Sequence, residues 1–279
     1  MLRGVIGVLI ALALPTSALA GDFDILRGSV PTVHWGGVYG GVQGGYSSSD
    51  MDFSGGVDPL VADILRSSSL AADLSGWDVL GSMSTARVNY GGFVGYNWEF
   101  EDVVLGVEAN YNRPSLSGAS SSSISRIFVD NTAAPPNTTY QYDMTVAGSS
   151  SIHLTDVATF RARAGWEAGR FLPYIFGGLA LGRADVAQTA SVSGTRSSTI
   201  TNPIDGSTTP GPTVAVVPGS QSNAQQGMFA YGFTAGLGTD VVLLPNVFVR
   251  AEWEYVGFSP IDGTHVAINT ARVGAGIKY

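Results

Sequence analysis

Between Val247 and Tyr255 the chain alternates without a break: Val247, Val249, Ala251, Trp253 and Tyr255 take one parity, and Arg250, Glu252 and Glu254 the other. A period of two puts these sets on opposite faces of a β-strand. A soluble sheet hides its apolar face, whereas a membrane strand turns that face to lipid. A charge on the lipid side costs about 2–4 kcal/mol near the midplane, so the charged face is expected to point inward. On this parity Ala251 meets lipid and Phe248 the interior; Ala251→Arg should block insertion and Phe248→Ser should be tolerated.

The same division recurs. Arg161 and Arg163 oppose Ala158, Phe160, Ala162, Ala164 and Trp166; Glu108, Asn110 and Asn112 oppose Val103, Leu105, Val107, Ala109 and Tyr111. Arg87, Asn89 and Asn97 oppose Val88, Tyr90, Val94, Tyr96 and Trp98, and Arg272 and Lys278 oppose Ala271, Val273, Ala275, Ile277 and Tyr279. Alternation marks eight segments, near 35–47, 86–98, 102–112, 155–168, 171–183, 226–242, 247–258 and 266–279, each long enough to cross a bilayer at a tilt. The parity of the first and fifth stays open because glycine fills them. The connections alternate long and short: 48–85, Glu99-Phe100-Glu101, 113–154, Gly169-Arg170, 184–225, Leu243 to Asn246, and 259–265. Such a meander keeps its tight turns at one end and its loops at the other. The expected fold is all-β: an eight-stranded antiparallel up-and-down transmembrane β-barrel with long external loops. A secreted soluble barrel of lipocalin type is the rival, and it would leave the outer apolar bands in water.

The N-terminus agrees with export. Arg3, an apolar stretch from Val5 to Leu14 and Ala18-Leu19-Ala20 follow the order of a secretory signal, cleaved after Ala20; the stretch is too short to span a bilayer. Residues 1–20 are therefore read as signal peptide, 21–34 as a periplasmic segment and 35–279 as the outer-membrane barrel. The chain has no cysteine, so stability is expected from the sheet and not from disulfides. A formal net charge of −8 argues against nucleic acid as a partner.

The long connections are rich in Ser, Thr, Gly, Pro and Asn, as in Ser117 to Ser125 and Thr195 to Pro212, and are expected to be mobile and solvated. Within 59–72, Leu60, Val61, Ile64 and Leu65 fall at helical spacing, which suggests a short amphipathic helix at the barrel mouth.

An eight-stranded lumen is only wide enough for side chains to fill. Arg87, Arg161, Arg163, Arg250, Arg272 and Lys278 face Glu108, Asp240, Glu252 and Glu254 across it, and guanidinium groups suit bidentate pairing with carboxylates. The expectation is an ion-paired plug, with Arg250 and Glu108 the first pair to test by double charge reversal; a narrow path for ions or small solutes is the alternative. Outward aromatics are expected in two interfacial girdles, Trp98, Trp166 and Tyr279 toward the turns and Tyr90, Tyr111, Tyr231 and Tyr255 toward the loops, with Trp253 in the same outward set.

Several passages, taken in order, resemble the small outer-membrane proteins of alphaproteobacteria known as outer-membrane immunogenic proteins or porin-family β-barrels. They are Trp35-Gly36-Gly37-Val38-Tyr39-Gly40-Gly41, Gly91-Gly92-Phe93-Val94-Gly95-Tyr96-Asn97-Trp98, Gly106-Val107-Glu108-Ala109, Arg161-Ala162-Arg163-Ala164-Gly165, Phe171-Leu172-Pro173-Tyr174 and Val249-Arg250-Ala251-Glu252-Trp253. The resemblance implies abundant envelope proteins of Gram-negative bacteria, exposed at the cell surface as antigens or adhesins, in contact with outer-membrane lipid and lipopolysaccharide. It also implies assembly by the barrel-assembly machinery through the last strand, which usually ends in Phe and here ends in Tyr279.

Some barrels of this size are lipid A hydrolases with a Ser, His and acidic residue at the outer rim. The chain has three histidines; His34 precedes the first strand, His153 lies near Ser149, Ser150, Ser151 and Asp156, and His265 near Asp262. Neighbours in a serine-rich loop are weak grounds for a triad, and the chain is read as no enzyme. The histidines lack the close spacing of a metal set, and no glycine-rich turn opens a helix, so neither metal nor other cofactor is expected. The aspartates of the first long connection, Asp50, Asp52, Asp58, Asp63, Asp73 and Asp78, read as a solvated acidic loop.

Overall fold

The computed structural model describes residues 34–66, 70, 74 and 76–279. The expected signal peptide, its expected cleavage after Ala20 and nearly all of the expected periplasmic segment lie outside the described residues.

Among the described residues ten strands and one helix follow in order: β1 Gly37–Asp52, α1 Asp58–Ile64, β2 Ser82–Phe100, β3 Val103–Arg113, β4 Leu116–Val129, β5 Thr138–Trp166, β6 Phe171–Thr201, β7 Thr208–Pro210, β8 Val214–Leu244, β9 Val247–Phe258 and β10 His265–Lys278. Eight of them pair antiparallel in a ring, β1–β2–β3–β5–β6–β8–β9–β10 and back to β1. Strand β4 resumes the line of β3 along β5 after an interruption at Pro114-Ser115, and β7 adds to the far end of β6. Pro114 removes a ladder donor and Ser115 turns to φ 45°, which ends β3 where its neighbour β2 still continues. The tight turns, Glu101-Asp102, 167–170 and Pro245-Asn246, gather at one end with both ends of the ring.

The outward apolar band is about one membrane thick. It runs from Val38 to Tyr46 on β1, Val103 to Tyr111 on β3, Phe171 to Leu181 on β6 and Val247 to Tyr255 on β9, close to the 9–11 residues a tilted strand needs. Trp98, Trp166 and Tyr279 lie exposed toward the turn end, and Tyr90, Tyr111 and Tyr231 toward the other; Tyr255 is half-buried, and Trp253 sits midway along β9. The two parities left open in sequence are now assigned: Tyr39, Gln43 and Ser47 point inward on β1, and Leu172, Tyr174 and Phe176 on β6.

Above the band both faces exchange character. Outward positions of β6 change from Ile175, Leu179 and Leu181 to Thr189, Ser191 and Ser193, while inward positions of β1 change from Gln43 and Ser47 to Met51. On β5 the exchange is made by one residue. A bulge at Thr155 shifts the register between Leu154 and Asp156. Even-numbered residues Ala158, Phe160, Ala162 and Ala164 face outward below it, and even-numbered Tyr142, Met144, Val146, Ile152 and Leu154 face inward above it. One inserted residue flips every later side chain to the other face. A second bulge before Met228 on β8 is held by Gly227 at φ 65°, whose N–H donates to Asp185 Oδ1 at 2.7 Å.

The expectation of mobile loops over 113–154 and 184–225 is therefore corrected. Most of these residues extend β5, β6 and β8 or form β4, and they enclose a second, apolar core. Phe53, Val57, Val61, Leu74, Trp77 and Leu80 from the β1–β2 connection pack against Leu116, Met144, Val146, Ile152, Leu154, Val186 and Val192. Serine and threonine had suggested solvated loops because they occupy the outward parity of strands whose apolar partners lie far away in sequence. The helix expected within 59–72 is shorter, Asp58–Ile64, and it lies not at a rim but against the inner side of β6 and β8, with Val61 buried. Residues 67–69 and 71–72 of that expectation lie outside the described residues.

Candidate functional site: the sealed lumen

Four carboxylates and four guanidinium groups meet inside the membrane-spanning ring. Glu108 comes from β3, Arg161 and Arg163 from β5, Asp240 from β8, Arg250, Glu252 and Glu254 from β9, and Arg272 from β10. All are buried, with side chains at most 4% exposed. Arg250 chelates Asp240, Nε to Oδ1 at 2.8 Å and Nη2 to Oδ2 at 3.1 Å, and its Nη1 donates to Glu108 Oε2 at 2.8 Å. Arg161 donates to Glu108 from Nε at 3.0 Å, to Glu252 at 2.6 Å and to Glu254 at 3.3 Å. Arg163 reaches Asp240 at 2.8 Å and Glu108 at 3.4 Å, and Arg272 joins Glu252 at 2.7 Å to Glu254 at 2.6 Å. Charges balance four against four, so the cluster is neutral despite the chain's net charge.

Aromatic rings frame this network. Tyr39 Oη donates to Glu108 Oε2 at 2.7 Å and Tyr174 Oη to Glu252 Oε1 at 2.6 Å. The guanidinium carbons of Arg161, Arg163 and Arg250 lie 3.9, 3.9 and 4.0 Å from the ring centroids of Phe176, Tyr174 and Phe93. Toward the turn end, Trp35, Tyr39, Phe93, Val104, Leu172, Val242 and Phe248 form a second apolar cluster. Phe248 is buried within it, so serine there would remove packing and is expected to destabilise the barrel, contrary to the sequence expectation. Space for the rings comes from glycines: a Cβ on Gly95 would lie 2.4 Å from Tyr39 Oη, and one on Gly238 2.8 Å from the Tyr174 ring.

Toward the outer end the charges give way to amides and hydroxyls. Asn110 Nδ2 donates to Glu108 Oε1 at 2.6 Å, Gln43 Nε2 to Asn112 Oδ1 at 2.8 Å, Asn89 Nδ2 to Ser47 Oγ, and Ser47 shares a 2.7 Å hydrogen bond with Thr270. The apolar core closes the stack above them. An ion moving along this axis would have to part guanidinium–carboxylate contacts between two apolar layers.

Two members of the expected network stand outside it. Arg87 shares the inward parity of Asn89 but lies beyond the end of β3, where β2 loses that neighbour, and its side chain is exposed with no ion pair among the described residues. Lys278 lies at the turn end, donating to the His34 carbonyl oxygen with Nζ 4.9 Å from the Trp35 ring centroid. Tyr39, Tyr174 and Phe176 were missed because glycine obscured the parity of β1 and β6; the inward parity of Phe93 follows from β2, but its role depends on Arg250 from a distant strand.

The histidines are dispersed. His153 Nδ1 lies 3.0 Å from Ser117 Oγ across the β4–β5 pair, while Asp156 accepts from Tyr111 Oη at 2.5 Å and Arg113 Nε at 3.1 Å. No group of three metal-ligating residues converges among the described residues.

The family described as outer membrane protein beta-barrel domain matches residues 6–279. No curated protein matches the sequence. Among solved structures, Neisserial surface protein A is similar at 14% identity, with 87% of this chain and 97% of that chain covered and a TM-score of 0.32. Ail, the attachment invasion locus protein of Yersinia pestis, is similar at 14% identity, with 88% and 99% covered and a TM-score of 0.30. OprG of Pseudomonas aeruginosa is similar at 10% identity, with 89% and 98% covered and a TM-score of 0.34.

Proposed function

The chain belongs to the outer membrane protein beta-barrel domain family, and from that premise we propose that it is a non-conducting barrel of the outer membrane that holds a rigid β-structure above the cell surface. The observation that carries this reading is the buried, charge-balanced network spanning five strands between two apolar layers. A filled lumen suits envelope integrity and surface display as antigen or adhesin. A noncatalytic role is supported by the carboxylates around the Ser117–His153 contact: Asp156 accepts from Tyr111, and Asp185, opposite His153 in the β5–β6 register, accepts from the Gly227 N–H, whereas a nucleophile needs a base that is itself oriented.

The finer assignments belong to the same proposal. The passages around Trp35, Gly91 and Arg161 support the alphaproteobacterial branch, and the order Arg3, apolar stretch, Ala18-Leu19-Ala20 supports a signal peptide cleaved after Ala20, a short periplasmic segment to residue 34, and the barrel as one domain over 35–279. The exposed apolar band and its aromatics support contact with lipid and lipopolysaccharide, and the exposed aromatic Tyr279 supports recognition of the last strand by the barrel-assembly machinery.

Single-channel recording of the refolded full chain in planar bilayers is the test. The expected record is a closed baseline. A steady conductance in the wild-type protein would overturn the plug and leave a narrow porin.

A further inference from the structure

Above the membrane the wall is not closed by hydrogen bonds. Strand β4 pairs only with β5, and β8 from Val214 to Gln225 pairs only with β6, because β9 joins β8 first at Gly232. A four-stranded sheet, β4–β5–β6–β8, therefore rises beyond the shorter β1, β2 and β10. The β2 chain covers only the foot of β4, where Ala119 N–H meets Met83 Sδ at 3.4 Å and Gly81 N–H donates to Ser120 Oγ at 3.2 Å. On β8, Gln221 and Asn223 donate through their side chains to Asp63 and Asp262. Above that foot neither edge has a backbone ladder partner among the described residues. The row Ser121, Ser149, Thr189, Ser222 crosses all four strands, so both edges belong to the part of the sheet beyond the apolar band.

Soluble sheets guard such edges with charge, proline or inward lysine. Strand β4 has one charge, Arg126, and no proline; β8 from Val214 to Gln226 has no charge, and its ladder with β6 is interrupted by a register shift between Val216 and Gly219, which leaves Gly219 to Gln225 as its regular stretch. Residues 121–123 and 220–222 are exposed. A chain of net charge −8 thus meets little electrostatic resistance when these segments approach each other.

We propose that the partner of each edge is a second copy of this chain, with β8 of one molecule pairing β4 of the next. Membrane insertion gives all copies the same orientation and holds these edges on the same side, which leaves lateral approach as the remaining motion. Strand β4 runs away from the membrane and β8 toward it, so their contact is antiparallel and continues the up-down order of the sheet. Pairing β4 with β4 would instead set two strands parallel. The contact joins unlike surfaces, so it propagates into rings or rows and does not stop at a dimer.

The absence of cysteine makes a clean test. Full-length chains carrying Ser121→Cys or Ser123→Cys, and others carrying Ser220→Cys or Ser222→Cys with a different tag, are co-expressed and oxidised in isolated outer membranes. A disulfide forms only where Cβ atoms approach to about 3.5–4.5 Å. Mixed-tag disulfides between the β4 and β8 sets are expected in several-fold excess over those that either set makes with Ser149→Cys, an exposed control in the middle of the sheet. Adding Ala119→Lys and Ser123→Lys to the Ser121→Cys chain should remove the excess while the gel mobility of the folded barrel is unchanged. Mixed-tag yields equal to the control overturn the proposal, as do stronger disulfides within the β4 set, which would mean a like-to-like contact, and persistence of the excess with the lysines.

Discussion

Glu108 touches Arg161, Arg163 and Arg250 at once, which makes it the hinge of the lumen charges. Glu108→Gln leaves three buried guanidinium groups short of an anion and is expected to cost about 3–5 kcal/mol, read as a lower urea midpoint of the barrel in lipid vesicles. The sharing also changes the expectation for double reversal. Glu108→Arg with Arg250→Glu places a new cation beside Arg161 and Arg163, so the pair is expected to stay as unstable as the worse single variant; full recovery would show that the contacts act as separate pairs. On the opposite face of β9, Ala251 is exposed, and Ala251→Arg is expected to lose about 2–4 kcal/mol by the same measurement. Phe248→Ser should lose a comparable amount, about 3–5 kcal/mol, through the aromatic cluster instead of through lipid.

At the scale of elements, β5 serves two environments with one sequence parity because Thr155 is extra to its ladder. Deleting Thr155 is expected to turn Tyr142, Met144 and Val146 to water, so the upper sheet should become sensitive to protease while the membrane-spanning part keeps its gel mobility. Retained resistance would mean that the bulge is not what sets the face. Helix α1 carries a second test. Burial, with Asp78 nearby, holds the Asp58 carboxyl above its ordinary range. The folded state then binds the proton more tightly than the unfolded one, so stability falls as pH rises from the ordinary carboxylate range through the raised value. Asp58→Asn should make the upper core more protease-resistant at neutral pH and leave it unchanged in acid; equal effects at both would remove the carboxylate as the cause.

At the scale of the whole molecule, protease added to intact cells is expected to cut at the hairpin tips, 130–137 and 202–207, and to spare both the paired stretches 138–154 and 184–201 and the turns Glu101-Asp102 and 167–170. Fragments ending within the paired stretches would mean that the upper core does not hold. The sequence alone determined the parts governed by local periodicity and by the cost of charge in lipid: the eight crossings, the tight turns at one end, and the inward face of Glu108, Arg161, Arg163 and Arg250. It could not show what depends on partners distant along the chain. Met144 and Val146 become core only because Phe53 and Val57 return beneath them, and Arg87 falls out of the lumen network only because β3 stops before reaching it. Strand parity is a property of neighbouring residues, readable in order, whereas closure, bulges and which charges touch are set by cross-strand register, which exists only once the ring has formed.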